Sequence, residues 1–201
     1  MNNMRSYCFC LFLLQARNKI VNFAPLNTKN IMKKAELSIL GKEDAFHLIG
    51  KEWMLVTAGS GTDVNTMTAS WGGLGWLWNK PVAFVFIRPE RYTHDFIERE
   101  ERMTLSFFPH EMKPALTLCG TKSGRDCDKI AEAGLTPAIL ESGAVSFAEA
   151  RMTLDCRKLF KAEMTEASFL DKAVYEQWYK GSHGGGLHTV YVVEIEEVYV
   201  G

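Results

Sequence analysis

The segment "NTMTASWGGLGW" (65–76) concentrates residues suited to binding a small molecule. Asn65, Thr66, Thr68 and Ser70 lead into a glycine-rich run that carries Trp71 and Trp76. On a strand, Asn65, Met67, Ala69 and Trp71 face one way, and Thr66, Thr68 and Ser70 the other. The hydroxyl face then offers donors and acceptors at about 7 Å intervals. That suits a flat heterocycle edged with carbonyls and ring nitrogens, or an anionic tail attached to it. The glycines let a ligand approach the backbone, and Trp71, Trp76 and Trp78 could wall the site. The same composition also fits a Thr/Ser-rich edge strand with aromatic core anchors.

Basic clusters follow. In "RPERYTHD" (88–95), Arg88 and Arg91 stand at a strand end and Thr93 at a helix start, a pattern that can cradle a phosphate. The alternative pairs the arginines with Glu90, Asp95 or Glu98 on a solvated face. "TKSGRDCDK" (121–129) gathers Lys122, Ser123, Arg125 and Lys129 around Gly124. It reads either as a second anion-holding turn or as a solvated loop, and it lacks P-loop spacing. In "GSHGGGLHTVYVVE" (181–194), His183 and His188 flank a glycine loop with no third metal ligand nearby. His183 reads as a loop residue. His188, at a strand mouth, is the better placed to touch a ligand. Ser70 and Cys119 have no local base and no GxSxG context, so nucleophilic catalysis is not indicated. HExxH, EF-hand and GxGxxG patterns are also missing.

The elements that must position these residues are legible as periodicity. "WMLVTAG" (53–59) predicts a buried strand, "SGTDVN" (60–65) its turn, and 65–71 the returning strand. "GGLGWLWNKP" reads as a Trp-rich loop, and "VAFVFI" (82–87) as a fully buried strand. Thr93 is expected to cap a helix over "HDFIEREE", and 102–108 to form another strand. Helices are expected over 113–120, ended by Gly120, and over 128–134, ended by Gly134. Residues 143–164 alternate as two or three strand pieces, and Ser168 with Asp171 opens a helix through Tyr179. A glycine loop (182–186) precedes closing strands over 187–200. Many strands with short scattered helices and no βαβ alternation predict an antiparallel barrel or sandwich.

Composition sets the remaining bounds. The chain has 201 residues, 47% hydrophobic and 23% charged, with a net charge of −1. This is ordinary for a globular domain and points neither to nucleic acid nor to a membrane surface. The cysteine count is odd, with Cys8, Cys10, Cys119, Cys127 and Cys156 in no CxxC spacing, so reduced thiols in a cytoplasmic protein are expected. "YCFCLFLL" (7–14) is too short to span a membrane. Residues 1–31 are expected to be an extension, disordered or upstream of a functional start at Met32, with a signal peptide as the alternative. Residues 32–201 are expected to form one domain.

Taken in order, "WMLVTAG", "DVNTMTASWGG", "NKPVAFVFIRPERYTHDFI", "LSFF", "SGRDCDKIAEAGLTP" and "HTVYVVEIEEV" resemble the flavin reductase-like family of FMN-binding split barrels, which includes flavoredoxin. The resemblance runs from about residue 37 to 201. It implies a mainly β fold with short helices, a six-stranded antiparallel Greek-key split barrel. It further implies a homodimer holding non-covalent FMN near the subunit interface. By resemblance, Asn65, Met67, Thr68, Ala69, Ser70 and Trp71 lie along the isoalloxazine and ribityl chain. Arg88, Arg91, Tyr92 and Thr93 surround the phosphate, with Ser123, Gly124 and Lys129 adding to it. His188 falls near the flavin and a nicotinamide donor. The implied activity is an oxidoreductase taking electrons from NADH or NADPH and passing them to free flavin or an acceptor protein. The alternatives are an FMN-binding electron carrier without a nicotinamide site, and a split-barrel protein that binds another small molecule.

Overall fold

The computed structural model describes residues 32–181 and 184–201. The N-terminal extension, with "YCFCLFLL", and His183 lie outside the described residues. The strands are β1 (Lys33–Ala35), β2 (Met54–Ser60), β3 (Asp63–Ala69), β4 (Gly72–Leu77), β5 (Lys80–Ile87), β6 (Arg102–Phe107), β7 (Pro137–Ile139), β8 (Val145–Phe147), β9 (Met152–Glu163) and β10 (Thr189–Val200). The helices are α1 (Ala45–His47), α2 (Tyr92–Arg99), α3 (Lys113–Thr121), α4 (Lys129–Glu132) and α5 (Lys172–Tyr179). One antiparallel sheet runs β3-β2-β6-β9-β10-β5-β4, with β1 also on β10, and β7 pairs with β8. β2, β3, β5, β6, β9 and β10 supply the split barrel expected from the sequence, and short β1 and edge strand β4 extend it. No helix among the described residues is long and apolar enough to cross a membrane.

The apolar run of β2 is continuous because both of its faces are covered. Met54 and Val56 enter the main core with Val85, Ile87, Leu105, Leu154 and Tyr191. Leu55 faces a second cluster with Phe108, Leu116, Cys119 and Phe147, beneath α3. Burying one such side chain is worth about 1.5–3 kcal/mol, so the two clusters clamp β2 and, through it, β3.

Several local expectations change. Ser60 pairs with Asp63, so the turn expected over 60–65 contracts to Gly61-Thr62. Gly59 is indispensable there: φ is +120°, and a Cβ would lie 2.2 Å from the Asp63 carbonyl oxygen. The Trp-rich segment is mostly not a loop but strand β4, paired along its length with β5. Its turn is Trp78-Asn79, with φ of 53° and 58°, the backbone of a tight two-residue hairpin. Glycine suits β4 because the strand lies close over Phe84: a Cβ at Gly72 would meet the Phe84 carbonyl oxygen at 2.7 Å.

The helix signals shift as well. α2 begins at Tyr92 with Arg91 in the capping position, and Thr93 lies within the first turn, fully buried. Gly120 lies inside α3 and does not end it; its missing side chain lets α3 approach Thr68 on β3. Asp171, not Ser168, caps α5, accepting from the Ala173 N–H at 2.9 Å.

Candidate functional site

The two ends of the main sheet path are β3 and β4, and Ser70-Trp71 joins them. A cleft of about 180 Å³ opens here, lined by Met67, Thr68, Ala69, Ser70, Trp71, Phe86, Arg88, Arg91 and His188. Residues of both parities along β3 line it. The reason is topological: among the described residues β3 pairs only with β2, so its outer edge carries alternate backbone N–H and C=O groups that no described strand consumes. The division into a hydroxyl face and an apolar face therefore does not define the site. Thr66 turns away, sharing a 2.8 Å hydrogen bond with Thr57, and the Thr68 hydroxyl donates to the Leu116 carbonyl. Met67 and Ala69 are rooted in the core.

At one end of the cleft sits a positively charged cradle. Arg91 donates to the Cys119 carbonyl oxygen at 3.4 Å, and Lys129 donates to the same oxygen at 3.2 Å and to Lys122's carbonyl at 3.3 Å. Among the described residues neither cation is paired with a carboxylate. Lys129 is 3% exposed, and burial pushes its ammonium down to about 8, with Arg91 acting in the same direction. Burial also lowers the Arg91 guanidinium. Two desolvated cations around one carbonyl are costly unless an anion joins them. The cradle therefore has the chemistry of a phosphate site.

The other sequence candidates surround this cradle in supporting positions. Asn65 and Thr93 are both buried and bonded to each other, Nδ2 to Oγ1 at 2.8 Å, which ties β3 to the start of α2. Gly124 packs against them: a Cβ would lie 2.2 Å from Asn65 Oδ1 and 3.1 Å from Tyr92 Cδ1. Tyr92 meets Phe96 edge-on at 5.0 Å and carries the Arg125 guanidinium over its ring at 4.5 Å. Ser123 Oγ accepts from the Arg125 N–H at 3.2 Å, shaping the turn that brings α4 and Lys129 back. Of the three tryptophans, Trp71 alone lines the cleft. Trp76 and Trp78 are 68% and 55% exposed; Trp76 borders an apolar groove with Leu37, Leu40 and Pro81, and Trp78 contacts Phe160.

The other end of the cleft is aromatic. His188 precedes β10, its carbonyl holding the Met164 N–H at 3.0 Å. Its ring lies 5.3 Å from Trp71, 6.5 Å from Phe86 and 5.5 Å from Tyr179 between centroids. Nδ1 is 2.8 Å from the Tyr179 hydroxyl. Arg88 spans this wall, donating to the Trp178 carbonyl at 2.8 Å with its guanidinium over the Tyr179 ring. Burial, followed by the Arg88 charge, pulls His188 down to about 4 against a weaker opposing effect of Glu90. The ring is therefore neutral at pH 7. Among the described residues no cluster of metal-ligating side chains forms.

The depressed His188 value fixes a stability trend. Between about 4 and 6.5 the unfolded chain binds this proton and the folded chain does not, so stability is present above 6.5 and is lost as pH falls toward 4. The contribution is on the order of 3 kcal/mol. Denaturant unfolding across this window should show the loss in the wild type, with a shallower slope in His188→Asn. Equal slopes would contradict the assignment.

Phe86, Trp178 and Tyr179 escape the motif reading. Phe86 hides within an apolar run in which alternate residues face opposite sides, and Trp178-Tyr179 lie on a helix whose docking is a tertiary matter. The end of α5 at a residue pair rich in aromatic surface is the one local signal they carry.

A family model for the "Flavin reductase like domain" matches residues 46–201. The chain belongs to the flavin reductase-like family. Among solved structures, flavoredoxin from Methanosarcina acetivorans is similar at 20% identity, covering 75% of this chain and 68% of that one, with a TM-score of 0.58. Flavoredoxin of Desulfovibrio vulgaris is 24% identical over 74% of this chain and 69% of that one, also with a TM-score of 0.58. An NADH:FAD oxidoreductase from Streptomyces globisporus is 17% identical over 75% of each chain, with a TM-score of 0.55. Among curated proteins none matched the sequence. The shared fold is the FMN-binding, flavin reductase-like split barrel.

Proposed function

We propose that this flavin reductase-like protein is an oxidoreductase that holds FMN non-covalently and receives electrons from NADH or NADPH. The observation that carries the reading is the convergence of Arg91 and Lys129 on the Cys119 carbonyl, at the end of a cleft that runs along an unpaired strand edge. An anionic tail fits the cations, and a flat ring with carbonyl and nitrogen edges fits the free backbone of β3. Arg91 and Lys129 would hold the phosphate, with Tyr92, Ser123 and Gly124 around it, whereas Arg88, expected from the sequence at the phosphate, stands at the aromatic end, bonded to the Trp178 carbonyl and over the Tyr179 ring. Met67, Thr68, Ala69, Ser70 and Trp71 would line the ring and its chain. Asn65 and Thr93 keep β3 and α2 in register behind them. Bound FMN would supply acceptance of hydride from a reduced nicotinamide and its release as electrons. Trp71 and Phe86 would cover part of the ring, and hydride acceptance by such a cofactor asks for no strong acid–base pair.

The cleft is smaller than the roughly 300–1,000 Å³ typical of a cofactor site. A second subunit would enlarge and close it, and the exposed Trp76, Trp78 and Phe160 give an apolar surface for such contact. The reading therefore includes a homodimer, to be checked by light-scattering mass; a monomer with FMN bound would reject it. It also places the protein in the cytoplasm, with free flavin or an acceptor protein downstream.

One observation favours the alternative of an electron carrier without a nicotinamide site. Trp71 packs edge-on to Trp178 at 5.3 Å, beside His188, and crowds the mouth of the cleft. Anaerobic mixing of the FMN-loaded protein with NADH and with NADPH separates the readings. Bleaching of the flavin absorbance with either donor is expected. Flavin that stays oxidised with both, with no reduction of added free flavin, would leave the carrier reading in its place.

A further inference from the structure

Tyr179 has no role in the reading so far, yet it is buried with its hydroxyl against the cleft histidine. Its oxygen lies 2.8 Å from His188 Nδ1 and 3.8 Å from Met164 Sδ. A phenol has a single proton to donate, and a thioether is a far weaker acceptor than an imidazole nitrogen. The proton therefore goes to Nδ1, and the neutral ring must carry its own hydrogen on Nε2. Trp71, Phe86 and Tyr179 surround the ring, leaving Nε2 as the one polar atom still to be satisfied. Among the described residues Nε2 has no protein partner. Among the described residues the one sealed side-chain polar atom without a partner is the Tyr199 hydroxyl, so Nε2 retains access to the cleft that His188 lines.

We propose that Tyr179 is a positioning residue that fixes His188 as an Nε2–H donor, and that this donor selects a small flat ring bearing a carbonyl oxygen at the aromatic end of the cleft. The walls suit a ring, since Trp71 and Phe86 set aromatic surfaces beside His188. The donor suits a carbonyl oxygen, because a ligand that displaces water from the open Nε2–H must replace the lost hydrogen bond or leave the group unsatisfied. Tyr179 itself is held by α5, which Arg88 ties to the end of β5 through the Trp178 carbonyl. Two sources share this chemistry, the carboxamide of a nicotinamide donor and the carbonyl of an aldehyde or enone acceptor. The proposal deepens the reading of the cleft as the reacting end of a flavin site.

The test uses full-length protein with FMN uptake read first by absorbance. Failure of uptake would count against the flavin reading alone, because the following readouts do not need the flavin. Imidazole ¹⁵N spectra should show His188 protonated on Nε2 only in the wild type and as a mixture of tautomers in Tyr179→Phe. Nicotinamide and benzaldehyde serve as the two probes. Each probe that binds the wild type should shift the Nε2–H signal and bind Tyr179→Phe about 5- to 10-fold more weakly, with FMN affinity held within about twofold. In His188→Gln, whose amide retains an N–H donor, the added Tyr179→Phe change should cost nothing further. Binding of nicotinamide alone identifies the donor's carboxamide as the ligand, and binding of benzaldehyde alone identifies an acceptor substrate. A proton on Nδ1 in the wild type, binding of neither probe, or equal probe affinity in Tyr179→Phe would overturn the proposal.

Discussion

Arg91→Ala is expected to weaken FMN binding by about 10- to 100-fold while leaving riboflavin affinity within about twofold, because charge-assisted hydrogen bonds are worth about 1.5–3 kcal/mol and riboflavin has no phosphate to lose. The guanidinium lines the cleft and reaches the Cys119 carbonyl, where Lys129 meets it. Both cations are drawn below their ordinary values by burial, so an arriving phosphate relieves a cost already present in the fold. Lysine at 91 would keep the charge but lose the fork that can bridge carbonyl and phosphate together, and should recover only part of the affinity. Parallel titrations of the wild type and Arg91→Ala with FMN and riboflavin, followed by flavin fluorescence, measure this. Equal losses for the two ligands would remove Arg91 from the phosphate site.

Gly124→Ala should be nearly as damaging although it deletes nothing. Its Cβ would stand 2.2 Å from Asn65 Oδ1, and Asn65 is buried with its amide committed to Thr93. Asn65 must then leave, which strands two buried polar groups at about 1–3 kcal/mol and adds about 1–3 kcal/mol of overpacking. A chain of this size loses roughly 2–4 °C of Tm per kcal/mol, so a fall of about 5–15 °C is expected. FMN affinity should fall with it, since the same shift moves the start of α2 and therefore Arg91. Gly50→Ala is the control, because nothing lies within 4 Å of its would-be Cβ. A Gly124→Ala variant that matches Gly50→Ala in melting and in FMN titration would show that the Gly124–Asn65 contact does not govern the site.

The parts legible in the sequence were those with local causes. The apolar run of β2, the returning β3, the strand over 82–87 and the basic turn after it are written in periodicity and in residue type, and they hold most of the cleft lining. β4 was illegible because glycines at 72, 73 and 75 carry no strand propensity; close approach to Phe84 selects them at 72 and 75, and no local pattern records it. The tryptophans were misplaced for the same reason. Once 72–77 is a strand, Trp76 and Trp78 are directed to the outer surface and only Trp71 is left at the cleft. Lys129 and Arg91 could be named separately from their basic clusters. Their meeting at the Cys119 carbonyl depends on how α3 packs between β3 and α4, which is a tertiary fact. Thr93 shows the reverse: its type suggested a helix cap, and its burial gave its hydroxyl to Asn65.

The central claim is that the cleft beside β3 and its cationic end form a flavin site, and FMN titration of the purified protein tests it most directly. Saturable quenching of FMN fluorescence, at one FMN per chain and with affinity clearly above that for riboflavin, is the result this account predicts. Fluorescence unchanged at all FMN concentrations, or equal affinity for FMN and riboflavin, would contradict it.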